Sequence, residues 1–375
     1  MRGDAFCPIS VEILTLAELK ADLASGEAGE RVVLVGSRVM VERLGLGDAI
    51  AALGEACDLI WLDADYANPT QADVADALVA IGPGRPSRII CIGGGSSIDV
   101  GKGISALYDV VSEPTLEAVK ACIADKSYAR DLRGIDITAI PTTAGTGSEV
   151  TKWATIWDVD GEAKYSIDDA VLYPKRALVC TDLTLTMPPR LMLSTALDAL
   201  SHAMEAFWAR PSDALVKAVS MSSVREIHRH LPAAIADPQD RVARDGLCLG
   251  SILAGIAFSN TRTTACHSIS YPMTMRHNVP HGFAAAMTLP QVAVVNLSAV
   301  PEIADLLGVF GGAEGFSAWM EGVCEGLQEL TLSAFGIGEG DIDTLVEMAF
   351  TAGRMDNNPV DITPGQVRSI LFEVL

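Results

Sequence analysis

The chain has 375 residues, 49% of them hydrophobic and only 20% charged, so it has ample material for a packed core and is not of disordered composition. With 27 basic against 48 acidic side chains its formal net charge is −21, which argues against a broad basic surface for nucleic acid. Any anion it binds must be held by local donors against an unfavourable overall field.

The opening MRGDAFCPIS lacks a signal-peptide run, and no stretch reads as a membrane span. Eight scattered cysteines show no CxxC spacing, and a reducing cytoplasm is expected. Through the first half, short branched runs end in Gly- and Pro-containing turns. RVVLVGS (31–37), DLIWLDA (58–64), RIICIGGGSS (88–97) and DITAIPTTAGTGS (136–148) are predicted strands, with RALVCTD (176–182) closing the series. Alanine-rich helical patterns such as QADVADALVAI from Gln71 lie between them, a βαβ rhythm that implies a mostly parallel sheet covered by helices. From Pro188 the texture changes to long helical patterns, beginning with PPRLMLSTALDALSHAMEAFWA and continuing through SDALVKAVSMSSVREIHRHL and RDGLCLGSILAGIAFSN. The reading is α/β plus all-α: an α/β dinucleotide-binding domain over 1–186 and an all-helical domain over 187–375, packed around a cleft.

Two glycine turns carry the nucleotide expectation. Gly93, Gly94, Gly95 and Ser96 follow a strand directly, and glycines there let a phosphate approach backbone N–H groups at a helix start. Asp99 and Lys102 follow at helical spacing. PTTAGTGSE (141–149) is a second such turn after a second strand, and two turns at neighbouring strand ends suit one extended diphosphate. The plainer alternative is an ordinary pair of strand-to-helix turns.

Asp198 and His202 stand four apart on one helix face. His267 ends a helical pattern, and His281 follows at a loop in VPHG. Three nitrogens and one carboxylate suit Fe²⁺ or Zn²⁺ and are too nitrogen-rich for Ca²⁺ or Mg²⁺. The competing reading is a helix-surface ion pair or a buried His–Asp hydrogen bond. His228 and His230 read as solvated helix residues.

These segments, with NPT (68–70), GGGSSIDVGK (93–102), PTTAGTGSEVT (141–151), Lys164, LTLTMPP (183–189), ALDALSHAMEAF (196–207), GIAFSN (255–260), VPHG (279–282) and NNP (357–359), resemble the iron-containing, or group III, metal-dependent alcohol dehydrogenase family over nearly the whole chain. The resemblance implies the dehydroquinate synthase-like fold, with the active site between a nucleotide-binding and a helical domain. It places the metal ligands on Asp198, His202, His267 and His281. It places the NAD(P)H cofactor on Asn68, Gly94, Gly95, Ser96, Asp99, Thr142, Thr143, Thr146, Ser148, Lys164 and Leu183. A homodimer is the family habit.

Departures from the family pattern narrow the expectation. Tyr271 falls where many members have a histidine, and reads as a pocket wall or as a hydroxyl in a proton relay. Ser37 falls where many have an Asp that repels a 2′-phosphate, and Arg38 follows it, so the cofactor reading leans to NADPH over NADH. SNTRTTACHS replaces small apolar residues before His267, and Arg262 with Thr264 suits an oxyanion. Arg276 is a further candidate for that anion, with a structural or surface role as the alternative. His277 reads as a possible relay or a plain loop residue. The pattern around SNTRTTACHSISYP resembles the family branch of phosphonate natural-product (antibiotic) biosynthesis that reduces phosphonoacetaldehyde to 2-hydroxyethylphosphonate. The expected partner is therefore a small anionic aldehyde, with neither nucleic acid nor membrane. Two alternatives stay open: a general short-chain alcohol dehydrogenase, and a non-catalytic dinucleotide-binding protein of the same fold.

Overall fold

Parallel strand pairing dominates the first half of the chain. The computed structural model describes residues 6–130, 132–158, 161, 163–351 and 353–375. Strands β1 (Ser10–Ile13), β2 (Arg31–Val35), β3 (Asp58–Leu62), β4 (Arg88–Gly93) and β5 (Asp136–Pro141) precede a hairpin of β6 (Trp153–Asp158) and β7 (Ala163–Asp168), and β8 (Arg176–Val179) follows it. Six strands form one parallel sheet in the order β1-β8-β5-β4-β2-β3. Helices α1 (Leu16–Leu23), α2 (Arg38–Arg43), α3 (Gly47–Ala56), α4 (Gln71–Ile81), α5 (Gly95–Leu107) and α6 (Leu116–Ala124) connect them.

The strands are apolar on both faces because both faces are covered. Val33, Val35, Ile89, Cys91 and Ile137 pack against α4, α5 and α6. Their alternates Val32, Leu34, Ile90, Ile92 and Ile140 pack against α1, α2 and α3. The chain leaves β2 toward one face and β4 toward the other, so a crevice opens between the carboxyl ends of these neighbours. Gly36 sits at that point, where an added Cβ would lie 2.5 Å from the Ile92 carbonyl oxygen.

Three strands were not foreseen. β1 has only four residues at the sheet edge and no bounded apolar run. The β6–β7 hairpin is antiparallel, and its period-2 signal, with Ala154, Ile156 and Ile167 buried, is obscured by Trp and Tyr at partly exposed positions.

The chain divides into two compact units: residues 1–143 with 148–186, and 144–147 with 187–375. The second unit is helical: α7 (Pro189–Trp208), α8 (Ala214–Ala236), α9 (Arg241–Ser259), α10 (Ala265–His277), α11 (His281–Met287) and, among the described residues, five more α-helices. Pro189 occupies the first turn of α7, where its missing N–H costs nothing. By length and composition α9 could cross a membrane, but 72% of its apolar window is buried, as in a core helix. His230 is packed rather than solvated: it pairs with Glu226 at 3.3 Å, and an added Cβ on Gly246 would collide with its ring. His228 is likewise half-buried, edge-on to Phe310.

One boundary differs from expectation. α9 stops at Ser259, the chain turns through Arg262 at φ +68°, and α10 starts at Ala265. His267 therefore begins a helix instead of ending one. His281 opens α11, and Arg276 and His277 form the last turn of α10 instead of a loop.

Candidate metal centre

Asp198, His202 and Glu205 fall at i, i+4 and i+7 of α7, on one face of that helix. All three are buried. His267 joins them from the first turn of α10, and His281 from the first position of α11. Gly282 brings the start of α11 against α7, since a Cβ there would lie 1.9 Å from the Ser194 carbonyl oxygen.

The three histidines present Nε2 to a single oxygen. His202, His267 and His281 Nε2 lie 3.9, 3.5 and 4.0 Å from Asp198 Oδ1. Ligand atoms of Asp198, His267 and His281 all fall within 4.8 Å of one another. His202 adds its nitrogen from the ring stacked on His267, with centroids 4.6 Å apart. These separations are long for hydrogen bonds, and they approach the ~3.4 Å edge of a tetrahedron of donors about 2.1 Å from a metal. Asp198 Oδ1 and His267 Nε2 are buried without a hydrogen-bond partner among the described residues. A buried carboxylate oxygen facing imidazole nitrogens across such gaps fits a divalent cation better than a hydrogen-bonded cluster.

Behind the donors stands Glu205, which the sequence reading did not assign. Its Oε2 accepts from His267 Nδ1, and its Oε1 accepts from Thr264 Oγ1 at 2.8 Å and from Cys266 N at 2.7 Å. Trp208 Nε1 donates to Thr264 Oγ1 at 3.0 Å. This fixes the His267 tautomer so that Nε2 is the atom offered to the cluster. The signal was available, since a Glu three residues after His202 on an apolar helix face needs a buried partner. Burial disfavours the charged forms of Asp198 and Glu205, but the surrounding histidines outweigh it and hold both carboxyls below their usual range. Burial also opposes charge on His267, yet Glu205 and Asp198 outweigh it and raise its pKa. In His202 burial wins and lowers it.

Thr264, expected at a substrate, is fully buried with its hydroxyl engaged between Trp208 and Glu205, so it braces the donor shell instead. Arg262 is half-buried in the turn entering α10. Asn357 Nδ2 donates to the carbonyls of Thr261 and Thr263 at 2.9 and 3.0 Å, clamping both sides of that turn. Tyr271 stacks beside His281, with 14° between ring planes and centroids 6.2 Å apart. Arg276 is exposed and His277 half-buried, and the mutually close donor set takes His281 and not His277.

In the first unit, Gly94 caps α5, with Gly95 and Ser96 in its first turn. Thr142 N donates to the Gly93 carbonyl at 2.9 Å, and an added Cβ on Gly94 would lie 3.5 Å from Thr143 Oγ1, so the two turns adjoin. Asp99 and Ser148, expected at the cofactor, are hydrogen-bonded to each other beside the first turn, and Asp99 is partly exposed. Asp99 accepts from Ser148 Oγ at 2.6 Å and from Thr155 N at 2.9 Å. Buried Lys102 donates to the Ser148 carbonyl and hydroxyl, to Thr151 Oγ1 and to the Trp153 carbonyl. Leu183 is a core residue, 1% exposed. Thr146 belongs to the strip 144–147 that groups with the helical unit, where Gly147 (φ +62°) passes so close to Gly255 that a Cβ would lie 2.7 Å from its Cα. Lys164 lies on β7 with Nζ 5.3 Å from the Trp157 ring centroid. Asn68 is exposed at φ +51° ahead of α4. Ser37 caps α2 without a side-chain bond, and Arg38 lies 3.9 Å over Trp61 and 3.2 Å from Asp63 Oδ2.

Two family descriptions match the chain: "Iron-containing alcohol dehydrogenase" over residues 11–181 and "Fe-containing alcohol dehydrogenase family, C-terminal" over 192–375. A 1,3-propanediol dehydrogenase of Klebsiella pneumoniae is 30% identical over 313 residues, 78% of this chain and 77% of that protein. The long-chain-alcohol dehydrogenase 1 of Geobacillus thermodenitrificans is 28% identical over 91% of this chain and 89% of its own length. The crystal structure of a sulfoacetaldehyde reductase from Bifidobacterium kashiwanohense, in complex with NAD+, superposes with a TM-score of 0.86 at 25% identity, covering 100% of this chain and 99% of that one.

Proposed function

This chain belongs to the iron-containing alcohol dehydrogenase family, and on that premise we propose that it reduces phosphonoacetaldehyde to 2-hydroxyethylphosphonate with a divalent metal and a nicotinamide dinucleotide. It is an oxidoreductase of the alcohol–aldehyde class; the phosphonate is the part proposed. Asp198, His202, His267 and His281 would hold Fe²⁺ or Zn²⁺, both of which accept nitrogen and carboxylate donors. Bound there, the ion supplies Lewis-acid polarisation of a carbonyl, and the dinucleotide supplies the hydride.

The chain's own residues orient the reactants. Glu205 holds His267 in one tautomer, and the Gly94–Ser96 turn offers N–H groups and the α5 dipole to a diphosphate. Ser37 lacks the carboxylate that would repel a 2′-phosphate and Arg38 adds a cation beside it, so we assign NADPH over NADH. Tyr271 walls the pocket next to His281.

The observation that carries the anionic substrate is Arg262. A guanidinium in the turn directly ahead of His267, at a left-handed φ of +68° held by Asn357, is a costly arrangement that a hydrophobic aldehyde would not require. The similarity to a sulfoacetaldehyde reductase supports the reading, because sulfoacetaldehyde is also a two-carbon aldehyde ending in an oxyanion. The competing reading, oxidation of a neutral alcohol, draws on the names of the 1,3-propanediol and long-chain-alcohol relatives. A cofactor-consumption assay on iron- and zinc-loaded protein separates them. Phosphonoacetaldehyde should be consumed far better than propionaldehyde, and equal rates would sink the anionic reading.

A further inference from the structure

Arg354 was not among the residues singled out by sequence. Its Nε donates to the Tyr271 hydroxyl at 3.1 Å, and its Nη1 donates to the Gly353 carbonyl at 3.1 Å. Two anchored nitrogens fix the plane of the guanidinium fork. Tyr271 is in turn fixed: it is one helical turn after His267 on α10, 9% exposed, and nearly parallel to the His281 ring. Arg262 reaches the same stretch of chain, for an added Cβ on Gly353 would lie 3.2 Å from its Nη1. Two half-buried guanidinium groups from distant parts of the sequence thus meet around residues 353–354, beside a ring that stacks on a candidate metal ligand.

In a chain of net charge −21, two guanidinium groups at one short stretch of chain are not a consequence of overall basicity. Planar forks presented together match a tetrahedral oxyanion, which accepts from several N–H groups at once. We propose that Arg262 and Arg354 together form the subsite for a terminal phosphonate or sulfonate on a short aldehyde, with Tyr271 as the positioning residue that holds the Arg354 fork. The proposal rests on the anionic-aldehyde reading above. It adds a second cation and gives Tyr271 a task other than proton delivery.

The test compares metal-loaded wild-type enzyme with R354M, R354K and Y271F, using phosphonoacetaldehyde, sulfoacetaldehyde and propionaldehyde. The ratio of kcat/KM for charged over neutral aldehyde should fall about 30-fold in R354M. R354K, which keeps the charge but not the fork, should fall between. Y271F should raise KM for the charged aldehydes more than it lowers kcat. Calorimetric binding of 2-hydroxyethylphosphonate to wild type and R354K provides a readout that does not depend on R354M folding, and should weaken in the variant. If wild type prefers charged aldehydes and both the R354M ratio and R354K binding are unchanged, the subsite is wrong while the anionic reading stands. If wild type shows no preference, both fall. Equal kcat losses on all three aldehydes in Y271F would make Tyr271 a proton donor and remove its positioning role. Comparable rates on phosphonate and sulfonate would define the subsite by oxyanion alone, whereas a preference for one identifies the source it serves.

Discussion

His267 gives its Nδ1 hydrogen to Glu205, a carboxylate with no exposed surface. That bond turns the histidine's other nitrogen toward Asp198 and ties α10 to α7 through one buried side chain. Replacing Glu205 with Gln keeps the shape but substitutes a neutral amide for the charged acceptor. Metal affinity should fall about 10–100-fold, measured by competition with a chromogenic chelator on folded protein. Unchanged affinity would show that Glu205 serves only packing.

The turn at Arg262 separates backbone from side chain. Asn357→Ala removes two hydrogen bonds, to Thr261 and Thr263, and should destabilise the protein by about 1–3 kcal/mol in denaturant titration. Arg262→Gly relaxes the left-handed backbone, whereas Arg262→Ala retains its strain at about 1 kcal/mol. Both should lose selectivity for charged aldehydes, with R262G the more stable of the two. Equal stabilities would mean the backbone there stores no strain.

Legibility in the sequence followed physical locality. The sheet was readable because strands buried on both faces show as apolar runs closed by turn residues, α4 because its Thr70–Asp73 capping box agrees with its periodicity, and α7 because prolines open an uninterrupted helical pattern. Asp198, His202, His267 and His281 were readable as residue types at suggestive spacings, although nothing local shows that α10 and α11 return them to α7. Glu205 and Arg354 escaped for different reasons. Glu205 carried a signal in its place on an apolar helix face, but nothing local names His267 as its partner 62 residues on, and the link of Arg354 to Tyr271 spans 83 residues. The bracing role of Thr264 behind His267 was not legible because a hydroxyl near a site reads the same whether it faces a ligand or supports the wall behind it.

Glu149 predicts a pH dependence of folding. Burial pushes its carboxyl up from about 4.5 to about 7, against lowering by a backbone hydrogen bond and Lys102. The folded state then retains a proton that the unfolded chain has released. Stability from this group is present below about pH 4.5, is lost as pH rises to about 7, and stays lost above, by about 3 kcal/mol. In Glu149→Gln that decline should be missing from urea-denaturation midpoints taken between pH 5 and 7.5. Parallel curves for the two proteins would contradict it.

Ser37 and Arg38 predict cofactor choice. Ser37→Asp places a carboxylate at the end of β2 and should raise KM for NADPH about tenfold relative to NADH. Arg38→Ala should move the ratio the same way, by less, because Asp63 already pairs with Arg38. An unchanged ratio in both would remove these residues from 2′-phosphate recognition.

The metal content of the purified protein tests the account most directly. Wild type, reconstituted anaerobically with Fe²⁺ or Zn²⁺ and desalted, should carry about one equivalent per chain by mass spectrometry. Asp198→Ala and His267→Ala should each retain under about a tenth of that while remaining folded, in keeping with the loss of one of few protein donors. Wild type that retains no metal, or variants that retain as much as wild type, would contradict the assignment of this cluster as the metal centre.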